Sequence, residues 1–363
     1  MGEIENLRKN IDAIDLDILK LLNERASLAL EIGREKREKK ISCYAPQREK
    51  EVIANLMEHN SGPLSNETVK GLYREIISAA RSLEEPLKVA YFGPIATFTH
   101  MAAIRHFGSS ADFIPADRIR GVFEEVESGR ASYGVVPIEN SNEGVVNYTL
   151  DMFVDSELLV SGEIMLEISQ NLLSISGDLS RIKHIYSFLP ATAQCKGWLE
   201  KNMPAVPIVE ASSTAKAAEI ASGDAEGAAI AGEAAARIYN LKLAAMDIED
   251  GKHNFTRFLV ISKEYPARTG RDKTSIMFSV KDRPGALYDI LAPLKKAGIN
   301  LTKIESRPSK RKAWEYIFFV DMRGHIQDKP LHKAIQTIKK DCLEVQAVLI
   351  YTIQIFISMF NFN

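Results

Sequence analysis

The sequence has few cysteines and none of the common patterns for binding a metal or a dinucleotide. Its 363 residues include three cysteines, Cys43, Cys195 and Cys342, which lie far apart and form no CxxC pair. An odd, scattered set disfavours a disulfide framework or a zinc site and fits a reducing cytoplasm. GxGxxG, P-loop and HExxH patterns are all missing. We therefore expect no cofactor and no metal ion.

The chain also lacks an excess of charge and a long apolar run. Its formal net charge is −2, which gives no reason to expect nucleic acid or an anionic membrane as a partner. The longest apolar stretch, 347–360, is shorter than the roughly 20 residues of a membrane span. The first residues, Met-Gly-Glu-Ile-Glu, do not form the apolar part of a signal peptide. We predict a cytoplasmic chain of about two to four domains that acts on small molecules.

The first 40 residues predict one long helix with an apolar seam. Eight apolar residues follow steps of three and four, apart from one step of seven after Leu21: Ile4, Leu7, Ile11, Ile14, Ile18, Leu21, Leu28 and Ile32. This is a heptad pattern. At about 1.5 Å per residue the helix would exceed about 50 Å, too long to bury its seam within one small domain. We expect a second copy of the chain to bury this seam, so we predict a homodimer or a higher homo-oligomer.

One position of this seam carries a charge. Arg25 stands where the heptad requires an apolar residue, and Lys36 lies on the same face. A buried guanidinium needs an anion, either a bound ligand or a glutamate such as Glu24 or Glu31. The glutamates flank the seam, which favours a ligand. Arg8 lies about 25 Å from Arg25 along the axis, so it serves another site or a partner's site.

Two more helices complete an all-α segment over residues 1–85. The second carries Arg48 and Glu49 in its first turn, and the third runs from about Asn66 to Glu84. Together, the three helices and their charged residues resemble the all-helical chorismate mutase family. That resemblance implies an intertwined dimer and a Claisen rearrangement of chorismate to prephenate. Such a reaction needs the substrate held compact and its developing charge stabilised.

The resemblance also implies a role for each charged residue of this segment. Three arginines would bind carboxylates, the first of them in the partner's site: Arg8, Arg25 and Arg48. Lys36 would face the ether oxygen and Glu49 would hold a substrate hydroxyl. Glu84 stands where some members have glutamine, so it must be protonated to donate to the ether oxygen. Arg25, Lys36 and Glu84 are the expected catalytic residues.

Residues 88–263 alternate strands and helices in two similar sets, which predicts a bilobal α/β domain with largely parallel sheets and a cleft. Four polar clusters could line the cleft: 97–100, 139–141, 212–214 and 254–258. Short hydroxyl and amide side chains beside helix N-termini suit carboxylate binding. A plain helix cap is the alternative for Ser213, and an ordinary strand end for Thr256 and Arg257.

Two motifs make this segment resemble prephenate dehydratase, whose fold is similar to periplasmic binding proteins. They are Pro-Ile-Glu-Asn-Ser at 137–141 and Asn-Phe-Thr-Arg-Phe at 254–258. The resemblance implies that prephenate loses carbon dioxide and its hydroxyl, with Thr256 near the leaving hydroxyl. Arg257 would bind a carboxylate or stabilise the local structure, and Glu139 would be an acid or hold its turn. The expected substrate-binding set is Thr97, Glu139, Asn140, Ser141, Ser213, Thr214, Thr256, Arg257 and Phe258.

Four residues depart from that family pattern near the expected cleft: Ile95, Ala96, Gln170 and Phe188. The family has glycine at the position of Ala96, so a positive φ there would add about 1 kcal/mol of strain or more. It has histidine where Gln170 stands. These departures leave a second hypothesis open, a working mutase with a degenerate or arogenate-preferring dehydratase. A third hypothesis is a non-catalytic amino-acid-binding regulator.

Residues 274–350 predict a βαββαβ unit, an α+β ferredoxin-like arrangement that resembles the ACT regulatory domain. Pro284 and Gly285 open its first helix. The resemblance implies that L-phenylalanine binds between paired ACT domains and inhibits by a population shift. The expected effector residues are Gly285, Ala286, Leu287, Asn300, Glu305, Ser306, Arg307 and Pro308. A scaffold domain without a ligand is the alternative. The apolar tail, 351–363, would add an edge strand or promote association.

Overall fold

A computed structural model of the chain describes residues 2–39, 44–251, 253–266, 268–270, 272–280, 283–309, 315–341 and 344–352. It contains two compact units. One comprises Met1–Val89 with Ala103–Phe113, and the other Ala90–Ala102 with Ile114–Asn363. None of the helices within the described residues is both long and apolar enough to cross a membrane.

The first unit contains the three helices that the sequence predicts: α1 (Glu3–Glu38), α2 (Pro46–Glu58) and α3 (Asn66–Glu84). The Ser65 hydroxyl caps α3 by accepting a hydrogen bond from the Thr68 amide at 3.1 Å. Both α1 and α2 pack against α3. Gly33 is the buried residue of α1, and its missing side chain leaves room for Glu84.

The apolar seam of α1 is uncovered in the single chain. Exposure of its eight residues ranges from 48% at Ile18 to 68% at Ile4. A helix surface of this size and composition normally contacts another apolar surface.

A large sheet contains the strands β1 (Lys88–Phe92), β2 (Asp112–Ala116), β3 (Tyr133–Asn140), β4 (Gly144–Val145), β5 (Leu159–Glu167), β11 (Phe255–Ser262), β12 (Asp272–Ser279), β13 (Leu301–Pro308), β14 (Tyr316–Arg323) and β15 (Glu344–Thr352). Their order is β13-β14-β12-β15-β5-β11-β3-β1-β2, and β4 pairs with β3. The helices beside the early strands are α4 (Phe98–Phe107), α5 (Ile119–Glu127) and α6 (Asn147–Asp155).

This sheet is mixed, so the prediction of largely parallel sheets is wrong. Strand β11 returns from the second lobe and runs antiparallel between β3 and β5. Its apolar residues, like those of β3, are buried on both faces. The prediction of parallel strands rested on the alternation of strands and helices, and this alternation contains no signal for a strand that returns from the other lobe.

The second lobe has its own five-stranded sheet, ordered β10-β6-β9-β7-β8. Its strands are β6 (Asn171–Ser174), β7 (His184–Ser187), β8 (Ile208–Glu210), β9 (Gly227–Ala231) and β10 (Lys242–Ala245), and its helices α7 (Leu189–Gln194), α8 (Lys196–Asn202), α9 (Thr214–Ala221) and α10 (Glu233–Ile238). A 3-10 turn spans Leu179–Arg181. Small alanine side chains from α9 and β9 fill one face of this core. They let the helix lie close to the sheet.

The last part of the chain has the predicted βαββαβ order, with α11 (Ala286–Lys296) and α12 (Lys329–Asp341) between its strands. Gly285 opens α11 with a φ of 79°, a conformation that glycine adopts without strain. Strand β15 reaches Thr352 and lies between β12 and β5 instead of at an edge. The rest of the apolar tail, 353–363, lies outside the described residues.

Candidate active sites

A cluster of charged side chains joins the three helices of the first unit. Lys36 comes from α1, Glu49 from α2 and Glu84 from α3. Both Lys36 and Glu84 act electrostatically on the Glu49 carboxyl. Arg81 lies among them and donates a hydrogen bond from Nη1 to Glu49 Oε1 at 2.7 Å. The structure therefore brings together three of the predicted mutase residues and adds a second cation.

Arg81 is a residue that the sequence reasoning missed. It is only 5% exposed, its Nη2 donates to the Phe107 carbonyl, and its guanidinium lies 4.9 Å from the centre of the Tyr44 ring. These contacts hold the cation that orients Glu49. Arg81 lies on the buried face of α3, beside Ile77, Ser78 and Ala80. Arg81 is a cation on an apolar helix face, and the same signal drew attention to Arg25.

Burial raises the pKa of both carboxyls in this cluster. For Glu49 the nearby Arg81 and Lys36 oppose the effect, and for Glu84 the opposing cations are Lys36, Arg37 and Arg81. Glu84 Oε2 is buried and accepts no hydrogen bond within the described residues. Glu84 therefore keeps its proton at a higher pH than an ordinary glutamate, as a donor to an ether oxygen requires.

The three predicted arginines have more open surroundings. Arg8 and Arg48 are exposed, and Arg25 is partly buried. Arg48 forms an ion pair with Glu51 at 3.6 Å. Arg8 stands 28 residues before Lys36 in the same helix, which at about 1.5 Å per residue separates them by about 42 Å. Arg8 cannot reach the Lys36 cluster of its own chain.

In the second unit, the two dehydratase-like motifs lie side by side because β3 pairs with β11. Thr256 is opposite Asn140, and Arg257 is opposite Glu139. Asn140 Nδ2 donates to Thr256 Oγ1 at 2.8 Å. Both side chains are partly exposed. The pairing thus presents a hydroxyl and an amide together at the ends of two strands.

Ser141 holds these strand ends together. Its Oγ accepts a hydrogen bond from the Phe255 amide at 2.9 Å and donates to the His253 carbonyl at 3.2 Å. Phe258 is 1% exposed, which favours a packing role for this predicted binding residue.

Arg257 lies in a buried network of ions. It is 9% exposed. Its Nη2 donates to Asp321 Oδ2 at 2.7 Å, its Nε lies 2.9 Å from Glu163 Oε1, and its Nη1 lies 3.7 Å from Glu139 Oε2. Burial tends to raise the pKa of Asp321, but Arg257 and the Ser275 hydroxyl lower it below its usual value. Of the two roles left open for Arg257, these contacts favour the structural one.

Glu139 belongs to the same network. Lys303, on β13, donates from Nζ to Glu139 Oε2 at 2.7 Å, and Lys273, on β12, lies 3.2 Å from Glu163 Oε2. These lysines come from the βαββαβ segment. Glu139 is thus held between Arg257 and Lys303, which favours holding the turn over acting as an acid.

Three predicted binding residues stand at two other turns of the unit. Ser213 is the N-cap of α9, and its Oγ accepts from the Lys216 amide at 3.0 Å; Thr214 is buried beside it. Thr97 Oγ1 donates to the Pro94 carbonyl at 2.9 Å. The plain-cap alternative for Ser213 is therefore supported. The two turns are close, since Ala96 packs in one apolar cluster with Ala211 and Ala215.

Comparison with known proteins identifies the family. Family models match residues 7–85 (chorismate mutase type II), 89–266 (prephenate dehydratase) and 274–339 (ACT domain). The bifunctional chorismate mutase/prephenate dehydratase of Aquifex aeolicus (strain VF5) is 52% identical, over 94% of this chain and 95% of that protein. The chain belongs to this bifunctional family. The predicted kinds of domain, and their order, are confirmed.

Two further similarities extend this result. The protein of the same name from Stutzerimonas stutzeri is 42% identical, over 95% of this chain and 96% of that protein. Among solved structures, prephenate dehydratase from Arthrobacter aurescens in complex with L-Phe is 33% identical with a TM-score of 0.68, over 74% of this chain and 90% of that one. Both the sequence and the dehydratase–ACT fold are therefore those of the family.

Ala96 has a positive φ, as expected for a position where the family has glycine. Its φ is 71°, in the left-handed region that costs an alanine about 1 kcal/mol or more. The Ala96 amide donates to His100 Nδ1 at 3.3 Å. Burial lowers the pKa of His100, so this nitrogen stays an acceptor. The bond helps hold the strained turn.

Gln170 has an unsatisfied polar atom. It is 3% exposed, and its Nε2 donates to Gln194 Oε1 at 3.2 Å. Its own Oε1 is buried and accepts no hydrogen bond within the described residues. The other two departures, Ile95 and Phe188, are exposed. Gln194 is a second residue that the sequence reasoning missed.

The predicted effector residues lie on two elements of the ACT domain. Gly285, Ala286 and Leu287 open α11, and Asn300 precedes β13. Side chains along β13 alternate: Glu305 and Arg307 are partly buried, whereas Ser306 and Pro308 are exposed. Arg307 Nη2 donates to Asp151 Oδ1 of α6 at 3.0 Å. One face of this strand is thus occupied by the dehydratase domain.

Proposed function

We propose that this chain catalyses two successive reactions, chorismate to prephenate and prephenate to phenylpyruvate, and that L-phenylalanine inhibits it through the ACT domain. The observation that carries the proposal is the hydrogen bond from Asn140 to Thr256, because it joins the two dehydratase motifs. Membership of a bifunctional family supports both activities and argues against a non-catalytic regulator. Three separate cysteines support a cytoplasmic location.

In the mutase step the protein holds a flexible dicarboxylate in a compact shape. One carbon–oxygen bond breaks and one carbon–carbon bond forms within the same molecule, so no covalent enzyme intermediate is needed. Lys36 and protonated Glu84 donate to the ether oxygen as negative charge develops on it. Glu49, oriented by Arg81, accepts from the substrate hydroxyl. Arg25 and Arg48 bind the carboxylates.

A second copy of the chain completes this site. The exposed seam of α1 needs an apolar cover, and a second α1 supplies one of matching length. Arg8 lies about 42 Å from Lys36 of its own chain, so in a dimer it binds substrate in the partner's site. Both observations support an oligomer built on α1.

In the dehydratase step the carboxyl group of the ring leaves as carbon dioxide. Its bonding electron pair enters the ring, and the hydroxyl on the opposite carbon leaves with the pair of its carbon–oxygen bond, which makes the ring aromatic. Thr256 donates a hydrogen bond to this departing hydroxyl. The other residues expected to bind prephenate lie at the turns beside Thr256 or near them, where they shape the binding site: Asn140, Ser141, Thr97, Ser213 and Thr214.

The ACT domain reaches this site through ion pairs. Lys303 binds Glu139, the neighbour of Asn140, and Asp321 binds Arg257, the neighbour of Thr256. L-phenylalanine bound near Ser306 and Pro308 would therefore act on β13, whose opposite face carries Lys303. A small shift of this strand changes the contacts of the dehydratase turn.

The full chain tests the proposal when it is supplied first with chorismate and then with prephenate, each with and without L-phenylalanine. We expect phenylpyruvate from both substrates, and less of it when L-phenylalanine is added. Prephenate that accumulates without phenylpyruvate would overturn the dehydratase assignment, with arogenate as the next substrate to try. No consumption of chorismate would overturn the mutase assignment.

A further inference from the structure

We propose that residues 107–110, which follow α4, position the mutase site by holding Arg81 where it orients Glu49. These residues belong to the part of the chain that matches prephenate dehydratase, but they form one compact unit with the three mutase helices. This inference rests on the proposed mutase function. The 107–110 segment touches no reacting atom; it acts through Arg81.

The end of α4 provides an acceptor for Arg81. The helix ends at Phe107, and the last carbonyls of a helix have no partner within it and carry a partial negative charge. The Phe107 carbonyl accepts hydrogen bonds from Arg81 Nη2 and, at 3.1 Å, from Ser78 Oγ. A buried guanidinium requires such acceptors, because bulk water does not reach its donors.

Arg81 transmits the position of this carbonyl to the substrate-binding carboxylate. Its guanidinium is planar and rigid, so the acceptor at Nη2 also determines where Nη1 lies. Nη1 donates to Glu49 Oε1 at 2.7 Å. The Tyr44 ring lies 4.9 Å from the guanidinium carbon and 5.6 Å from the Phe107 ring. The Phe107 carbonyl therefore helps to determine how the Glu49 carboxylate is presented.

Helix α3 holds the 107–110 segment in place. The Ser110 amide donates to Ser78 Oγ at 3.2 Å. The amide of Ser109 donates to Glu75 Oε2 at 3.2 Å, and its hydroxyl donates to the same oxygen. Gly108 is so close to α3 that a Cβ at this position would overlap the side chain of Ser78. The contact therefore requires glycine at 108.

Gly108→Ala tests the inference, and Gly129→Ala is its matched control. The two glycines have φ values of 78° and 76°, so both alanines carry the same backbone strain. A Cβ on Gly129 meets nothing within 4 Å, so only at 108 must the segment move. We expect Gly108→Ala to lower kcat/KM for chorismate about fivefold or more and to change prephenate turnover less than about twofold. Gly129→Ala should leave both rates unchanged.

A double variant distinguishes positioning through Arg81 from a general loss of structure. In a chain with Arg81→Met, the 107–110 segment has no guanidinium to hold. Adding Gly108→Ala to that chain should therefore lower chorismate turnover less than about twofold further. Losses that multiply would show that the segment does not act through Arg81, and would overturn the inference.

The pH dependence of the mutase rate provides a second readout. Burial raises the pKa of Glu49, Arg81 and Lys36 oppose this, and Glu84 adds to it; Arg81 also opposes the raised pKa of Glu84. A displaced Arg81 therefore leaves the pKa of both carboxyls higher. Glu49 then ionises only at a higher pH, and Glu84 keeps its proton to a higher pH. The rate of Gly108→Ala relative to the unmodified chain should rise between about pH 5 and pH 8, and a constant ratio would count against the inference.

Ser78→Ala loosens the segment without adding an atom, so it decides the matter if Gly108→Ala loses both activities. We expect kcat/KM for chorismate to fall about threefold or more, with prephenate turnover unchanged. Ser82→Ala is the matched control, because Ser82 Oγ donates at 2.8 Å to the Ala79 carbonyl of its own helix. Full mutase activity in Ser78→Ala or Gly108→Ala, or equal loss of both activities in Ser78→Ala, would overturn the inference. An unmodified chain that does not consume chorismate would overturn the proposed function instead.

Discussion

At the scale of single residues, the proposed role of Glu84 predicts how the mutase step responds to pH. Burial raises its pKa, and only the protonated form donates to the ether oxygen. The donor is therefore present below this raised pKa and lost as pH rises through it. We expect kcat for chorismate to fall over that range, and Glu84→Gln to have a flatter profile, because its amide donates at every pH.

The measurement is kcat for chorismate between about pH 5 and pH 8. Glu85→Gln, at the exposed neighbouring position, is the matched control and should keep the sloping profile. Profiles of the same shape for the unmodified chain and Glu84→Gln would refute the role of Glu84.

Sequence reasoning found residues that belong to a local motif and missed those whose partners lie far along the chain. Asn140 and Thr256 were recognisable because each stands within a run of diagnostic neighbours. Arg81 binds Glu49, 32 residues away, and Gln194 binds Asn254, 60 residues away. Neither partner can be inferred from spacing. The left-handed backbone conformation of Ala96 could be predicted because the family has glycine at this position.

At the scale of elements, two glycines inside helices provide a matched pair. A Cβ on Gly33 would lie 2.9 Å from Glu84 Cγ, whereas a Cβ on Gly71 would meet nothing within 4 Å. We expect Gly71→Ala to raise the free energy of unfolding by about 1 kcal/mol through helix propensity. Gly33→Ala should displace Glu84 and lower kcat for chorismate by about tenfold or more.

The measurements are the thermal unfolding and the chorismate turnover of both variants. Because both substitutions add the same methyl group to a helix interior, propensity alone predicts the same result for each. A Gly33→Ala protein with full mutase activity would show that Glu84 need not occupy its observed position.

The seam of α1 is the surface on which the proposed mutase dimer depends. A carboxylate in place of Ile14 would have to be buried at the contact between two copies. We expect Ile14→Asp to lower kcat/KM for chorismate about a hundredfold, because Arg8 of the second copy is withdrawn. Prephenate turnover should change less than about twofold.

Ala13→Asp introduces the same side chain off the seam at an exposed position, and it should keep its mutase activity. Rates for both substrates and the mass of each protein in solution are the measurements. Equal activity of the two variants would count against an oligomer built on this helix.

At the scale of the whole molecule, the ACT domain and the dehydratase site are connected by charge. Lys303 Nζ is 2.7 Å from Glu139 Oε2, and Lys303 stands on the strand that carries four of the predicted effector residues. We expect Lys303→Met to raise the L-phenylalanine concentration for half-inhibition about fivefold or more. Lys333→Met, exposed on α12, should leave it unchanged.

Prephenate turnover at a series of L-phenylalanine concentrations is the measurement. An unchanged inhibition curve for Lys303→Met, together with full activity, would mean that the effector acts by another route.

The order of the three domains could be predicted from the sequence, whereas the way the chain divides into compact units could not. Residues 103–113 belong to the same unit as the helical segment, because the Phe107 carbonyl accepts hydrogen bonds from Arg81 and Ser78. The position of β15 between β12 and β5 also depends on contacts between distant segments. Local patterns contain no signal for either feature.

The most direct test of the central claim is the fate of chorismate in the Thr256→Ala protein. We expect that chorismate is consumed at the rate of the unmodified chain, that prephenate accumulates, and that phenylpyruvate does not form. Thr337→Ala, at an exposed position of α12, should still produce phenylpyruvate. Equal loss of both activities in Thr256→Ala, or phenylpyruvate formed at the normal rate, would contradict the role of Thr256 in the dehydratase step.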